Sequence, residues 1–447
     1  MIEKQIAQLV KEKGGRTFYV GGYVRDKLLN IENKDVDIEI HGINEEQLID
    51  ILKQVGEPIS YGKSFGVYSL KGYDIDIALP RSEKAIGKGH KDFKIDVDPF
   101  IGYKQAARRR DITINALMQD VLTDEILDYY NGLSDLKNKI IRQVDSSTFI
   151  EDPLRVLRVA QFASRFEFEV AQETIELCKT IDLTYLTKER VEEELRKCLL
   201  KGKKPSIFFD TLNKMDQLDY WFKEIKELIN IKQDPIYHPE GDVYIHTMQV
   251  IDRAVKYRDK CKAYEFMLLC LTHDFGKIIC SENINGRIHA YEHETKGVPI
   301  IEEFIRRITN RKEVITYLKN MVPLHMLPNK CASDNSRIKK TNKMFYNAIE
   351  PKDLIYFSYC DRGNEDNSIY LNQRYEEYKL MMLKPYVTGN DLIEAGIKQD
   401  KNFHELLEYA TKLRLAKVDK EDALKQVLAY YNKEFKKMNW IHLFKTI

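Results

Sequence analysis

The 447-residue chain has no apolar run near the ~20 residues that a membrane-spanning helix needs; its most apolar candidate is FMLLCL at 266–271. Its seven cysteines include no C-x-x-C pair. An odd number of cysteines scattered through apolar segments argues against a disulfide or zinc framework and for buried, reduced thiols. Excess charge is missing too. With a net charge of +1, contact with nucleic acid has to come from local patches rather than a globally basic surface. The amino-terminal MIEKQIAQLVKEKGG has no apolar signal-peptide region. Its Ile2, Ile6 and Leu9 stand at helical intervals before Gly14-Gly15, which predicts an amphipathic helix and a cytoplasmic protein. Internal repeats and low-complexity tracts are also absent.

What is present is a globular composition, 43% hydrophobic and 32% charged. The length exceeds the size at which single cores stop growing, so roughly two to four domains are expected. The first 130 residues mix strand-like runs (RTFYVGG, DVDIEI, GVYSL, YDIDIAL) with helical stretches, the pattern of a small α+β unit. From about residue 150 the apolar spacing turns helical, as in Leu154, Leu157, Val159, Phe162 and Phe166, and no further strands are expected. The stretch Gln233 to Asp242 is the best candidate boundary. Two basic patches stand out, one from Arg81 to Arg110 and one at 196–204 (RKCLLKGKK).

The segment KDVDIEI at 34–40 alternates apolar residues with Asp35, Asp37 and Glu39, so one strand face carries three carboxylates. Such a face is either plainly solvated or holds cations. Just before it, YVGGYVRDKLL runs from a strand through Gly21-Gly22 into a helix, where glycines admit a close ligand and free N–H groups suit phosphate. YDIDIALPR then supplies Asp74 and Asp76 on a second strand. Two carboxylates at i and i+2, with a third from a neighbouring strand, can hold two Mg²⁺ ions for phosphoryl transfer.

These segments, with ARRRDITINALMQD, LDYYNGLSDLKNKIIR and EDPLRVLRVAQFASRF, resemble the nucleotidyltransferase superfamily of DNA polymerase β. They most resemble its branch of class II tRNA nucleotidyltransferases and bacterial poly(A) polymerases, over residues 21–166. The resemblance implies that Asp35 and Asp37 are catalytic Mg²⁺ ligands, with Asp76 as third carboxylate and Glu39 an ordinary solvated or salt-bridged residue. It places Gly21, Gly22, Arg25 and Asp26 around the triphosphate, and Arg110, Asp111 and Asn115 near sugar and phosphates. One of Arg109 and Arg110 is expected only to cover a solvated face. In EDPLR, Asp152 and Pro153 suit a helix start. Asp152 and Arg155, three apart on one face, also offer an acceptor and a donor fork. Cytosine and adenine both present an amino donor beside a ring-nitrogen acceptor, whereas uracil and guanine present a carbonyl where that donor would be. The class II resemblance assigns these two positions to that choice. Arg158 supports the same site or the phosphates, or makes a plain salt bridge to a neighbouring acid.

Histidines cluster between 238 and 325. His273-Asp274, with His246 before and Asp361 after, resembles the H…HD…D pattern of HD phosphohydrolases, and His293 and His325 fall where two-metal members place extra ligands. Mixed imidazole and carboxylate ligation suits Mg²⁺, Mn²⁺, Ni²⁺ or Fe²⁺. His238 and His289 are read as structural or outer residues, and Lys277 as exposed or facing a phosphate.

The resemblance implies an α+β fold. A small polymerase-β-like head with a mixed sheet (1–140) precedes an all-α neck and body (141–232), an HD domain (233–365) and a helical tail (366–447). It implies addition of C, C and A to tRNA from CTP and ATP, by a monomer or homodimer that binds the acceptor arm and no membrane. Poly(A) synthesis, or addition of A or of C-C alone, fits the same motifs. An RNA-binding HD hydrolase with a dead polymerase site is the alternative of a different class, and the intact Asp35, Asp37 and arginine motif argue against it.

Overall fold

The computed structural model describes residues 2–33, 35–60, 66–85, 93–236, 238–400 and 403–436. Lys34 and residues 86–92 of the predicted basic patch lie outside the described residues, as do the side chains from 82 to 95. The chain forms two compact units, Met1–Glu227 with Arg306–Asn310, and Leu228–Ile305 with Arg311–Ile447.

The first unit opens on the predicted helix, Ile2–Glu12. The strands that follow are β1 (Arg16–Val20), β2 (Val36–His41), β3 (Pro58–Ser60), β4 (Val67–Leu70), β5 (Ile75–Ala78), β6 (Arg81–Ala85), β7 (Phe93–Val97), β8 (Met118–Asp120) and β9 (Ile126–Leu127). Seven of them form one mixed sheet in the order β3-β4-β5-β2-β1-β8-β9, while β6 and β7 pair separately. Only β2 and β5 run parallel within that sheet, with Asp37 opposite Asp76.

Period-two alternation sorts the central strands. Tyr19, Ile38 and Ile40 enter a core with Ile6, Val10, Leu48 and Leu52, which come from the first helix and from helix Glu45–Val55. Phe18 and Val20 face the other way, against Ala107, Ala116 and Met118. Asp37 and Glu39, out of step with Ile38 and Ile40, therefore point away from the helical layer and toward the arginine segment. After the sheet come the helices Leu154–Phe166, Gln172–Lys179, Lys188–Lys201 and Ser206–Lys214.

The second unit is mainly helical, and its last part (helices Gly389–Glu394, Phe403–Leu415 and Lys420–Tyr431) has a core of its own around Leu392, Leu406, Ala410 and Val427. Strands do not stop at residue 150, contrary to the sequence expectation. Ile140–Ile141 pairs with Glu169–Val170, and Ser281–Ile284 pairs with Arg287–Ala290 as a hairpin. Asn285 and Gly286 make its turn with φ of 51° and 83°, the left-handed pair that a two-residue hairpin requires.

Candidate active site and metal centre

One cleft in the first unit, about 1020 Å³, gathers Gly21, Gly22, Arg25, Asp26, Asp35 and Asp37 with Arg109, Arg110, Asp111 and Asn115, and with Asp152, Arg155 and Arg158. Gly21 has φ +66°, and a Cβ there would stand 3.3 Å from Arg110 Nη1 and 3.9 Å from Asp37 Oδ2. The turn thus needs glycine for its backbone and keeps Arg110 and Asp37 against it. Asp35 is exposed and Asp37 half-buried. Burial pushes the Asp37 carboxyl upward; Arg110 opposes this, and Asp76 and Asp35 add to it. A group of carboxylates whose shared charge is only partly offset is the donor set a divalent cation fits. Among the described residues, the ligand groups whose atoms all lie within 4.8 Å do not include these three aspartates, so the set is open rather than closed.

Of its two expected options, Glu39 takes the salt-bridged one and not the solvated one. It is 2% exposed, because the strand is covered on both faces from Ile38 to His41. Its oxygens meet His41 at 3.0 Å, Arg109 at 3.1 Å and Arg110 at 3.5 Å. Burial works against its charge, yet His41 and the two arginines outweigh burial and hold the carboxyl well below the usual range. Both arginines therefore face Glu39, and the expectation that one merely covers a solvated face does not hold.

Much of the arginine set is spent on holding the site. Arg25 is buried, bonded to Asp26 at 2.8 Å and to Asn115 Oδ1 at 2.5 Å, and it lies over Phe162 and Phe166. Asn115 donates to Asp111 at 3.0 Å. Arg158 pairs with Asp111 at 2.7 Å, the plain salt bridge foreseen as one option. Burial would raise the Asp111 carboxyl, but Arg158, Asn115 and the Ile112 N–H hold it at about 2. Asp152 Oδ1 accepts from Leu154 N at 3.1 Å, which fits its capping role, with the helix itself beginning at Leu154. Asp152 Oδ2 accepts from Arg190 at 2.8 Å. Arg155 donates to the carbonyls of Thr148 and Arg109, both at 2.7 Å. The cleft is also lined by Arg165, Arg190, Lys197, Lys201 and Lys203. Of these, Arg165, which meets Asp26 at 3.3 Å, and Arg190 escaped sequence reasoning; the spacing of Arg190 to Lys197 and Lys201 on helix Lys188–Lys201 puts those three on one face.

In the second unit the six predicted ligands form two adjacent groups, His246 with His273 and Asp361, and Asp274 with His293 and His325. Helix Val243–Ala254, capped by Asp242, supplies His246. Helix Ala263–Thr272 ends at His273-Asp274, and helix Pro351–Arg362 supplies Asp361. Gly276 lets the His293 segment come close, since a Cβ there would fall 1.9 Å from the His293 carbonyl oxygen.

All four imidazoles are turned the same way. Nδ1 of His273, His293 and His325 lies 3.0, 2.8 and 2.7 Å from the carbonyls of Cys270, Ala290 and Val322, and Nδ1 of His246 lies 2.6 Å from Glu240. A carbonyl only accepts, so Nδ1 of those three rings carries a proton and Nε2 is the atom turned into the centre. His293 Nε2 and His325 Nε2 then face each other at 3.3 Å, and His246 Nε2 faces Asp361 at 3.1 Å. Burial, His273 and His293 push His325 down to about 3, so its Nε2 presents a lone pair. Against burial, Asp361 and Glu240 push His246 up to about 9. Converging Nε2 atoms and carboxylates are a donor set that suits a divalent metal, whose binding would release such protons. Asp274 lies between the groups, 3.2 Å from both His273 and His293. Burial opposes its charge, but His273 and Lys277 hold its carboxyl far below the ordinary value.

Lys277 is not exposed. It is buried, 2.7 Å from Asp274 and 2.6 Å from Gln233. His238 shares Glu240 with His246, and His289 stacks on Tyr291 from the hairpin. Glu240 was also missed by sequence reasoning, although it stands in the YHPEGD stretch. The cysteines are free, and all but the half-buried Cys261 are buried. No helix among the described residues is long and apolar enough to cross a membrane.

Residues 17–142 match the family model of the poly A polymerase head domain. The chain is 39% identical over 317 residues to the multifunctional CCA protein of Mannheimia succiniciproducens, covering 68% of this chain and 72% of that protein. To the one of Pasteurella multocida it is 40% identical, covering 63% and 67%. The fold resembles that of the Thermotoga maritima CCA-adding enzyme solved with tRNA, at TM-score 0.62 and 21% identity over 95% of this chain and 93% of that one. It also resembles the Bacillus stearothermophilus CCA-adding enzyme solved with CTP, at TM-score 0.69 and 18% identity over 97% and 98%. With its glycine turn, paired aspartates and arginine segment assembled on a head of that type, the chain belongs to the family of the multifunctional CCA proteins.

Proposed function

We propose that this chain adds C, C and A to the 3′ end of tRNA, using CTP and ATP in the cleft of its first unit. The observation that carries the reading is the convergence of Asp35, Asp37 and Arg110 on the Gly21-Gly22 turn, with Asp76 in register beside Asp37. The names of its relatives and the CTP and tRNA complexes of its fold neighbours support the substrates.

Asp35 and Asp37, with Asp76 alongside, would hold Mg²⁺, which when bound acidifies the attacking hydroxyl and neutralises phosphate charge. The remaining work falls to the protein. Gly21-Gly22 lets the triphosphate approach the backbone, and Arg110 offsets its charge. Glu39 holds Arg109 and Arg110 at the cleft, while Arg25 and Arg158 hold Asn115 and Asp111 beside the sugar. Asp152 accepts from the amino group of cytosine or adenine and Arg155 donates to the neighbouring ring nitrogen. Lys197, Lys201 and Lys203 grip acceptor-arm phosphates without reading sequence. The tRNA 3′-hydroxyl gives up its proton, its oxygen bonds to the α-phosphorus, and pyrophosphate leaves.

The test is to give purified protein Mg²⁺ and a tRNA lacking its last three nucleotides, offer the four NTPs singly and together, and sequence the products. Ends reading C-C-A are expected. Ends that stop at C-C, long A tails, or no extension would each defeat the reading in a different way.

A second activity is favoured by the inward-facing Nε2 atoms around Asp274. We read this centre as a divalent-metal phosphohydrolase site, for Mg²⁺, Mn²⁺, Ni²⁺ or Fe²⁺, acting on phosphate esters such as 2′,3′-cyclic phosphates. Beside it a cleft of about 570 Å³, lined by His238, Gln249, Arg253, Asn329 and Arg362, has room and donors for such a group.

A further inference from the structure

The two side chains read above as selecting the base are held by unlike means. Arg155 is fixed by two backbone carbonyls, those of Thr148 and Arg109, which no side-chain substitution removes. Asp152 is fixed on one oxygen by the Leu154 N–H and on the other by a side chain, Arg190. A carboxylate free to rotate offers acceptor lone pairs in many directions and would tolerate several bases. One anchored on both oxygens offers its remaining lone pairs in a fixed direction.

We propose that Arg190 is the positioning residue that orients Asp152, and so sets the preference for CTP and ATP over UTP and GTP. The inference rests on Asp152 being a base reader. The Arg190 to Asp152 contact joins helix Lys188–Lys201 to the start of helix Leu154–Phe166, both half-exposed at the cleft, at 2.8 Å. An arginine can hold this orientation and also donate to a second group, whereas lysine keeps the charge without the planar fork. The competing role is visible on the same helix face. Lys197 and Lys201 follow Arg190 there, and a residue that merely added to that positive stripe would bind phosphate and treat all four nucleotides alike.

The experiment measures kcat/KM for CTP, ATP, UTP and GTP with truncated tRNA in the full chain, for Arg190→Ala, Arg190→Lys, Asp152→Ala and the double variant Arg190→Ala/Asp152→Ala. Each variant is read as a ratio between nucleotides within one preparation, so a partly unfolded fraction cancels. Arg190→Ala is expected to lower discrimination against UTP and GTP by about tenfold or more, the scale of a lost charge-assisted hydrogen bond. Arg190→Lys is expected to restore part of it, and the double variant to discriminate no worse than Asp152→Ala alone. Equal slowing of all four nucleotides by Arg190→Ala, with ratios unchanged, would make it a phosphate contact and overturn the proposal. Unchanged ratios in Asp152→Ala would instead remove the base-reading role beneath it, a failure that the single variants distinguish.

Discussion

In the nucleotide cleft the aspartates come from a helix (Asp26), a strand (Asp37) and connecting segments (Asp35, Asp111, Asp152), Asp35 is exposed, and arginines and lysines crowd the remaining walls. Around Asp274 the proportions reverse. Four imidazoles and two carboxylates close on one another, with Lys277 held at the edge. The contrast follows from what each site has to hold. A cleft for a triphosphate and an RNA end needs positive charge over a wide area and an opening for exchange. A centre made of two triads, each with its ligand atoms within 4.8 Å of one another, has the dimensions and donors that a small cation would need, and it fixes its rings through their outer nitrogens. The first site therefore depends on long side chains holding one another, the second on ring orientation.

The open site is the more sensitive to loss of a single carboxylate. Asp37→Ala is expected to reduce nucleotide addition by a factor on the order of a thousand, because on the proposed reading Mg²⁺ would lose a half-buried ligand and Arg110 one of its counter-charges. Divalent-metal binding at the Asp274 centre, followed by calorimetry on metal-stripped protein, is expected to be unchanged. Loss of both would show that the two sites are not independent.

The reciprocal variant is His273→Ala. Metal-dependent release of phosphate from a 2′,3′-cyclic substrate is expected to vanish while addition to tRNA persists. Unchanged hydrolysis would refute the second assignment.

A milder change tests whether ring orientation is what the closed site relies on. Glu240→Gln keeps an acceptor near His246 Nδ1 but removes the charge that fixes it. Metal affinity is expected to fall about 10- to 100-fold, as is typical when a carboxylate behind a ligand histidine is altered. Direct titration with Mn²⁺ or Ni²⁺ would measure it, and an unaltered affinity would mean that a neutral acceptor orients the ring as well as a carboxylate does.

How much of this was legible in the sequence differs between the sites for the same physical reason. The glycine turn, Asp35-x-Asp37 and the arginine run are contiguous and read directly, and the H…HD…D order named four residues that come together, with His293 and His325 added by the likeness to two-metal members. Partners were not legible. For Glu39 the sequence left solvated and salt-bridged open, because alternation assumes one open face, whereas β2 is covered on both and the salt-bridged option holds. Lys277 looked exposed because the long-range contact with Gln233 that buries it leaves no local trace. Arg190 reaches Asp152 across 38 residues, and no periodicity announces such a pair. The hairpin at 281–290 did carry a local signal in Asn285-Gly286, overridden by the helical spacing around it.

The smallest effect concerns the ion pairs that hold the open cleft, and its sign can be worked out. Asp111 is held at about 2, against an ordinary 3.8, by Arg158, Asn115 and the Ile112 N–H acting against burial. A carboxyl depressed in the folded state contributes stability that is fully present above its unfolded pKa and lost as pH falls through the folded value. The window is therefore roughly pH 4 to 2, and the contribution is about 2 kcal/mol at most, because Arg158 is nearly one-third exposed. Asp111→Asn is expected to flatten the acid limb of urea-denaturation stability in that window and to weaken nucleotide binding modestly at neutral pH. Asp274 variants are not expected to reproduce that pairing of effects, since that aspartate belongs to the other site. An acid limb identical to the parent's would mean that Asp111 is no better stabilised folded than unfolded, and that the cleft is held by Arg25 and Asp26 instead.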